Sequence, residues 1–156
     1  MFYVCCKHLA DLGLKVAFIE SATAGYLAYQ FSLNPHSGEV LIGSLVCYDL
    51  KVKEKILNIP KDLIEEYTPE SQEVTHYLAE HGHHFFDADI IVACTGLVKP
   101  GGSETPEKPV GTFFYSIYYN GKVHDFRFYA EGAPEEKLHK VLNQACRELN
   151  QLIQPE

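Results

Sequence analysis

The run "DIIVACTG" at residues 89–96 is apolar at every position from Ile90 to Cys94. A strand with one wet face alternates apolar and polar side chains, whereas a strand apolar throughout is covered on both faces. Such a strand calls for helices on its sheet, and the chain supplies them. "LKVAFIE" (14–20) and "VLIGSLVCY" (40–48) are two further short runs of strand character. "ATAGYLAYQFSL" after the first reads as a helix broken by "NPHSGE", and "DLKVKEKIL" after the second reads as a short helix. Residues 2–12 suit a helix ended by Gly13, another helix follows Pro60, and a long one runs from Glu70 to about Phe86 with Val74, Leu78 and Ala79 on one side. Alternating aromatics around Asn120-Gly121 mark a hairpin within 111–132, and an amphipathic helix over 134–153 closes the chain. This order predicts an α/β sandwich with a mixed sheet of about five strands, in a single domain spanning 1–156.

Composition narrows the function. Hydrophobic content of 46% against 22% charged residues is that of a globular chain able to bury a core. With 21 acidic and 13 basic residues the formal net charge is −8, and no basic block offsets it, so nucleic-acid binding is not expected. No apolar run approaches the roughly 18 residues of a membrane span. The opening "MFYVCCKHLADLG" lacks a basic leader and a cleavage site, so it reads as a helix packed on the body. The 5 cysteines, an odd number without framework spacing, point to reduced thiols and a cytoplasmic setting. A homo-oligomer is the expectation from base rates for small enzymes.

Three segments can carry chemistry. Ser21 stands where "KVAFIESATAG" turns from strand to helix, which suits an N-cap and equally suits a nucleophile among small neighbours at a positive helix end. In "CYDLKVK" (47–53), Tyr48 ends a strand and Lys53 follows about one turn later. If the two strands are parallel, both residues reach the edge where Ser21 lies. A lysine there is either a solvated charge beside Lys51 and Lys55 or, when neutral, a base for the serine. The third segment, "CTGLVKPGGSETPEKPVGT" (94–112), arrives at the same edge. Its Gly101-Gly102 pair and Ser103 can offer N–H groups to a phosphate or an amide, with charge from Lys99 or Lys108, or it is a plain connector. His76, His81, His83 and His84 lack a metal-site pattern and suit a helix end better, so no metal is expected.

Taken together, "IESATAG", "YDLKVK" and "TGLVKPGGSETPEKPVGT" resemble the "AESCTGG" turn, the "YSNEAK"-like segment and the "TGIAGPxGG…EKPVGT" loop of the CinA C-terminal-domain family, whose members include nicotinamide-nucleotide amidases. "SQEV" at 71–74 echoes that family's "SEEV", and the resemblance covers about residues 10–150. It implies a three-layer α/β/α sandwich with a mixed, mostly parallel sheet. It also implies hydrolysis of the carboxamide of nicotinamide mononucleotide, a small-molecule nucleotide, with no cofactor. Ser21 falls on the nucleophile, Tyr48 on an active-site tyrosine and Lys53 on the base. Thr23, Gly25, Thr95, Gly96, Gly101 and Gly102 fall on substrate-pocket positions. The chain departs from the pattern at Ala22, at Ala24 in place of a glycine, at Asp49–Val52 and at Lys99. The alternatives are a catalytically impaired nucleotide- or protein-binding module, or an amidase for another small carboxamide.

Overall fold

The apolar runs fold as strands of one sheet. The computed structural model describes residues 1–155. Its elements are α1 (Phe2–Leu12), β1 (Val16–Glu20), α2 (Tyr26–Ser32), α3 (Ser37–Val40), β2 (Leu41–Val46) and α4 (Leu50–Leu57). They continue with α5 (Lys61–Tyr67), α6 (Gln72–Phe85), β3 (Ile90–Gly96), β4 (Thr112–Tyr119), β5 (Lys122–Tyr129) and α7 (Pro134–Leu152). The sheet order is β2-β1-β3-β4-β5. β1 pairs in parallel with β2 and β3, while β3–β4 and β4–β5 are antiparallel. The sheet is therefore evenly divided rather than mostly parallel. At the β4–β5 turn Asn120 and Gly121 have φ of 52° and 78°, the left-handed pair that a two-residue hairpin requires.

Side-chain alternation along the central strands sorts the core into two layers. Val16, Phe18, Ile90 and Val92 pack with Cys5 and Leu9 of α1, Leu27 and Phe31 of α2, and Val141 and Leu142 of α7. Ala17, Ile19, Ile91 and Ala93 face the other way, against Leu57 of α4, Ile64 of α5, and Val74, Leu78 and Ala79 of α6. The expected α/β/α layering is present. Among the described residues no helix is long and apolar enough to cross a membrane.

One local reading is corrected and another is extended. The helix expected from Ala22 begins only at Tyr26, because Ser21–Gly25 forms a turn in which Ala24 (φ 47°) and Gly25 (φ 96°) are left-handed. "NPHSGE" does break α2, and it then supports the one-turn helix α3, with Asn34 Oδ1 accepting the His36 N–H at 2.9 Å.

Two stability effects follow from these contacts. At Gly82 of α6 an added Cβ would lie 2.8 Å from Ile19 Cγ1 and 2.9 Å from Ile91 Cγ2, both on buried strands that have no room to give. Gly82→Ala is expected to lower unfolding free energy by about 1–3 kcal/mol through overpacking, read from urea denaturation. Ala24 carries its methyl at a positive φ, so Ala24→Gly is expected to raise stability by about 0.5–1 kcal/mol in the same assay.

Candidate active site

Parallel pairing sets the carboxyl ends of three strands level: Glu20 of β1 lies opposite Val46 of β2 and Cys94 of β3. The chain leaving β1 is pinned on both sides. Ser21 N–H donates to the Cys94 carbonyl at 3.1 Å, and Cys47 N–H donates to the Glu20 carbonyl at 2.8 Å. Ser21, Tyr48 and Gly96 thus emerge along one edge, as open α/β sheets arrange their sites.

Lys53 reaches that edge from α4. Asp49 caps the helix, its Oδ1 accepting the Lys51 N–H at 2.8 Å, so its carboxylate is committed to the helix start and does not hold Lys53. Side chains in the first turn of a helix lean toward its N-terminus. Accordingly the Lys53 stem runs back, 1% exposed, past the Cys47–Tyr48 peptide. Its Nζ lies 2.8 Å from Ser21 Oγ, 2.8 Å from the Cys47 carbonyl and 3.4 Å from the Tyr48 carbonyl. Burial pushes its pKa below the usual lysine value, opposed by the weaker pull of Cys47, Glu70 and Asp49. The three acceptors match the three N–H donors of an ammonium, and on loss of a proton two N–H groups remain for the carbonyls with the lone pair toward the serine hydroxyl.

Glu20 is the residue that reading the chain missed. It is fully buried, and its carboxylate accepts four hydrogen bonds: from Thr23 Oγ1 and Leu27 N–H at 2.8 Å each, from Ala28 N–H at 3.2 Å, and from Ser44 Oγ at 2.7 Å. The signal was a lone carboxylate closing an otherwise apolar strand. The Leu27 and Ala28 amides at the start of α2 are therefore taken and are not free to hold an oxyanion. Ser21 does not cap α2 either, since Gly25 holds that position without a side-chain bond.

A cavity of about 210 Å³ opens beside the serine, bounded by Ser21, Ala22, Tyr48, Glu70, Lys99 and the backbone of the Gly101-Gly102 loop tip, with Gly96 in its wall. At Gly96 an added side chain would collide with the Phe113 ring. Gly96, Gly101 and Gly102 line this space, as does Tyr48, but Thr23, Gly25 and Thr95 do not. The hydroxyl of Thr23 is bonded to Glu20, that of Thr95 to Thr75 Oγ1 at 2.8 Å, and Gly25 supplies a backbone turn. The Tyr48 side chain is 61% exposed, and its hydroxyl bonds neither Ser21 nor Lys53, so a proton relay through the phenol has no support in this arrangement. Ala24 is exposed and outside the cavity wall; its methyl does not crowd the serine.

The glycine loop also differs from expectation. The N–H groups of Gly101 and Gly102 both donate to the Glu104 carboxylate, at 2.9 Å each. Lys108 folds inward, its Nζ donating to Thr68 Oγ1 and to the Glu70 carbonyl at 2.7 Å each and to Ser103 Oγ at 3.0 Å. Ser103 Oγ donates to Glu70 Oε2 at 2.5 Å. The histidines scatter: His76 bonds Asp125 at 2.8 Å, His81 stacks on Tyr77 and His83 on Tyr118.

The comparisons with known proteins agree with this architecture. The family model described as the CinA C-terminal domain matches residues 3–153. A CinA-like protein of Thermosipho melanesiensis is 40% identical over 106 residues, which is 68% of this chain and 26% of that protein. One of Mycobacterium avium is 38% identical over 105 residues, 67% of this chain and 24% of that protein. The matched stretch is thus about a quarter of the length of these relatives. Among solved structures, a CinA superfamily protein from Escherichia coli superposes with a TM-score of 0.89 at 25% identity, covering 97% of this chain and 88% of that one. A competence or damage-inducible protein from Enterobacter asburiae gives 0.90 at 22% identity, covering 99% of each chain, a likeness of fold. With a family model spanning nearly its whole length, the chain belongs to the CinA C-terminal domain family.

Proposed function

We propose that this domain is an amidohydrolase that converts the carboxamide of nicotinamide mononucleotide to the carboxylate, releasing ammonia. The observation that carries the reading is the buried Lys53 amine, 2.8 Å from Ser21 Oγ and without a carboxylate partner. Lys53 Nζ takes the proton as Ser21 Oγ bonds to the amide carbon. The carbonyl oxygen becomes an oxyanion, for which the Ala22 N–H is a candidate donor: Ala22 lines the cavity and its N–H has no backbone acceptor among the described residues. As the tetrahedral centre collapses, the C–N bond breaks and Lys53 returns the proton to the departing nitrogen. Water then adds to the acyl-serine while Lys53 takes its proton, and release of the carboxylate returns that proton to Ser21 Oγ. Each step uses groups of the chain and water alone. Tyr48 serves as a wall of the cavity.

Ammonia release from nicotinamide mononucleotide by the purified protein tests the reading. Wild type is expected to turn over, and Ser21→Ala to lose about a thousandfold or more in kcat. Lys53→Arg is expected to be as inactive as Lys53→Met, since a guanidinium keeps the charge but cannot act as a base. Circular dichroism of each variant checks that the fold survives. Turnover persisting in Ser21→Ala would remove the covalent route. Saturable nucleotide binding without turnover by wild type would favour a binding module, and activity confined to other amides in a substrate panel would reassign the substrate.

The pH profile gives an independent check. Lys53 must be neutral to act, and burial lowers its pKa, so kcat/KM is expected to rise with pH. The midpoint should fall below the value of an exposed lysine. A flat profile through that region would count against Lys53 as the base.

A further inference from the structure

The loop tip that borders the cavity already holds an anion, and the anion belongs to the chain. Gly101 (φ 104°) turns the backbone so that its N–H and that of Gly102 point the same way. Both donate to Glu104, one to Oε1 and one to Oε2, at 2.9 Å each. Successive N–H groups converging in this manner form an anion receptor. The bond to Gly101, then its own N–H and more weakly Gly102, hold the Glu104 carboxyl below the ordinary carboxylate range.

The surroundings make this occupant displaceable. Glu104 is exposed, and among the described residues no cation forms a salt bridge with it. A second carboxylate also borders Gly102: a Cβ built there would lie 3.6 Å from Glu104 Oε2 and 3.9 Å from Glu70 Oε1. The cations nearby are Lys99, in the cavity wall, and Lys108, held against Ser103 and the Glu70 carbonyl. With Glu104 swung into solvent, two N–H donors stand open on a loop that carries Lys99 and Lys108. Gly101 and Gly102, though not Glu104, line the cavity that contains Ser21.

We propose that Glu104 is a specificity-determining residue that occupies the Gly101-Gly102 N–H pair in place of a ligand's phosphate. A phosphorylated carboxamide must then displace Glu104 to bind, whereas an unphosphorylated one need not. The inference rests on the amidase reading for its substrate, but the anion site itself does not. Its effect is on discrimination: Glu104 raises the KM for phosphate-bearing ligands and leaves alone the chemistry at Ser21.

Two measurements on wild type, Glu104→Gln and Glu104→Ala test it. Inorganic phosphate is titrated while the Gly101 and Gly102 amide resonances are followed. Both variants are expected to bind phosphate roughly ten-fold more tightly than wild type, the lower end for an exposed charge-assisted bond that no longer competes. Those two resonances should move most. The ratio of kcat/KM for nicotinamide mononucleotide over nicotinamide riboside is expected to rise by a similar factor in both variants, through KM. Unchanged phosphate affinity, or resonances that move elsewhere, would overturn the proposal and leave Glu104 as a brace of its own loop. A fall in KM that is equal for the two substrates would overturn it as well, because loop loosening would explain it. Tighter phosphate binding without turnover of either amide would refute the amidase reading while supporting the anion site.

Discussion

The buried carboxylate of Glu20 is the constraint on which the site depends. A charge taken out of water is stable only if donors surround it. Glu20 collects two hydroxyls and two amides, from the turn, from α2 and from β2. Those four bonds tie the end of β1 to three different segments and fix the path of the chain through Ser21. They have a second effect. A buried ammonium beside an unsatisfied carboxylate would pair with it and stay protonated. Glu20 is saturated by neutral donors and is not among the charges that act on Lys53. The lysine is left with two carbonyls and a serine.

The pleat of β1 enforces this separation. Successive residues of a strand face opposite layers. Val16 and Phe18 look toward α1, α2 and α7, and Glu20 continues that face to meet the α2 amides. Ala17 and Ile19 look toward α4 and α6, and Ser21 continues theirs to meet Lys53. One residue of register thus directs the carboxylate to one layer and the nucleophile candidate to the other. A site of this kind needs the strand to be buried on both faces, which is what the uninterrupted apolar runs require.

Those runs, and the Asn-Gly hairpin, made most of the element order legible, because burial and turn chemistry are written in residue type. The late start of α2 was not, since an alanine at position 24 gives no sign that its φ is positive. Lys53 is the instructive case at the site. By composition it is one of three lysines in "KVKEK", yet it shares the buried side of α4 with Leu57, four residues on, where an apolar residue would be expected. The residues alone left it a solvated charge or a base, and the family resemblance chose the base. Three positions that the resemblance implied for the pocket, Thr23, Gly25 and Thr95, shape the backbone or bond to other buried groups and are not among the residues lining the cavity. Sequence motifs mark where the chain must take a given path, and they do not distinguish residues that line a space from those that hold its wall.

That distinction extends to the loop after β3. Its far end is tied down: Lys108 makes three hydrogen bonds to the α5–α6 connection and Ser103. The anchor on the other side is Thr68, a β-branched residue at φ 73° and ψ 158°, a conformation that costs on the order of 1–3 kcal/mol and persists only where surrounding contacts demand it. Its hydroxyl accepts the Lys108 hydrogen bond and donates to the Glu70 carbonyl at 3.2 Å, which sets Glu70 at the cavity wall. The tip at Gly101 and Gly102 has no comparable anchor; exposed bonds to Glu104 hold it. Rigidity is thus concentrated at Lys108 and Thr68, and the freedom to rearrange lies at the two glycines nearest the cavity. A loop organised in this way can change what it binds without disturbing Ser21 or Lys53, whose positions are set by the strands and by Glu20.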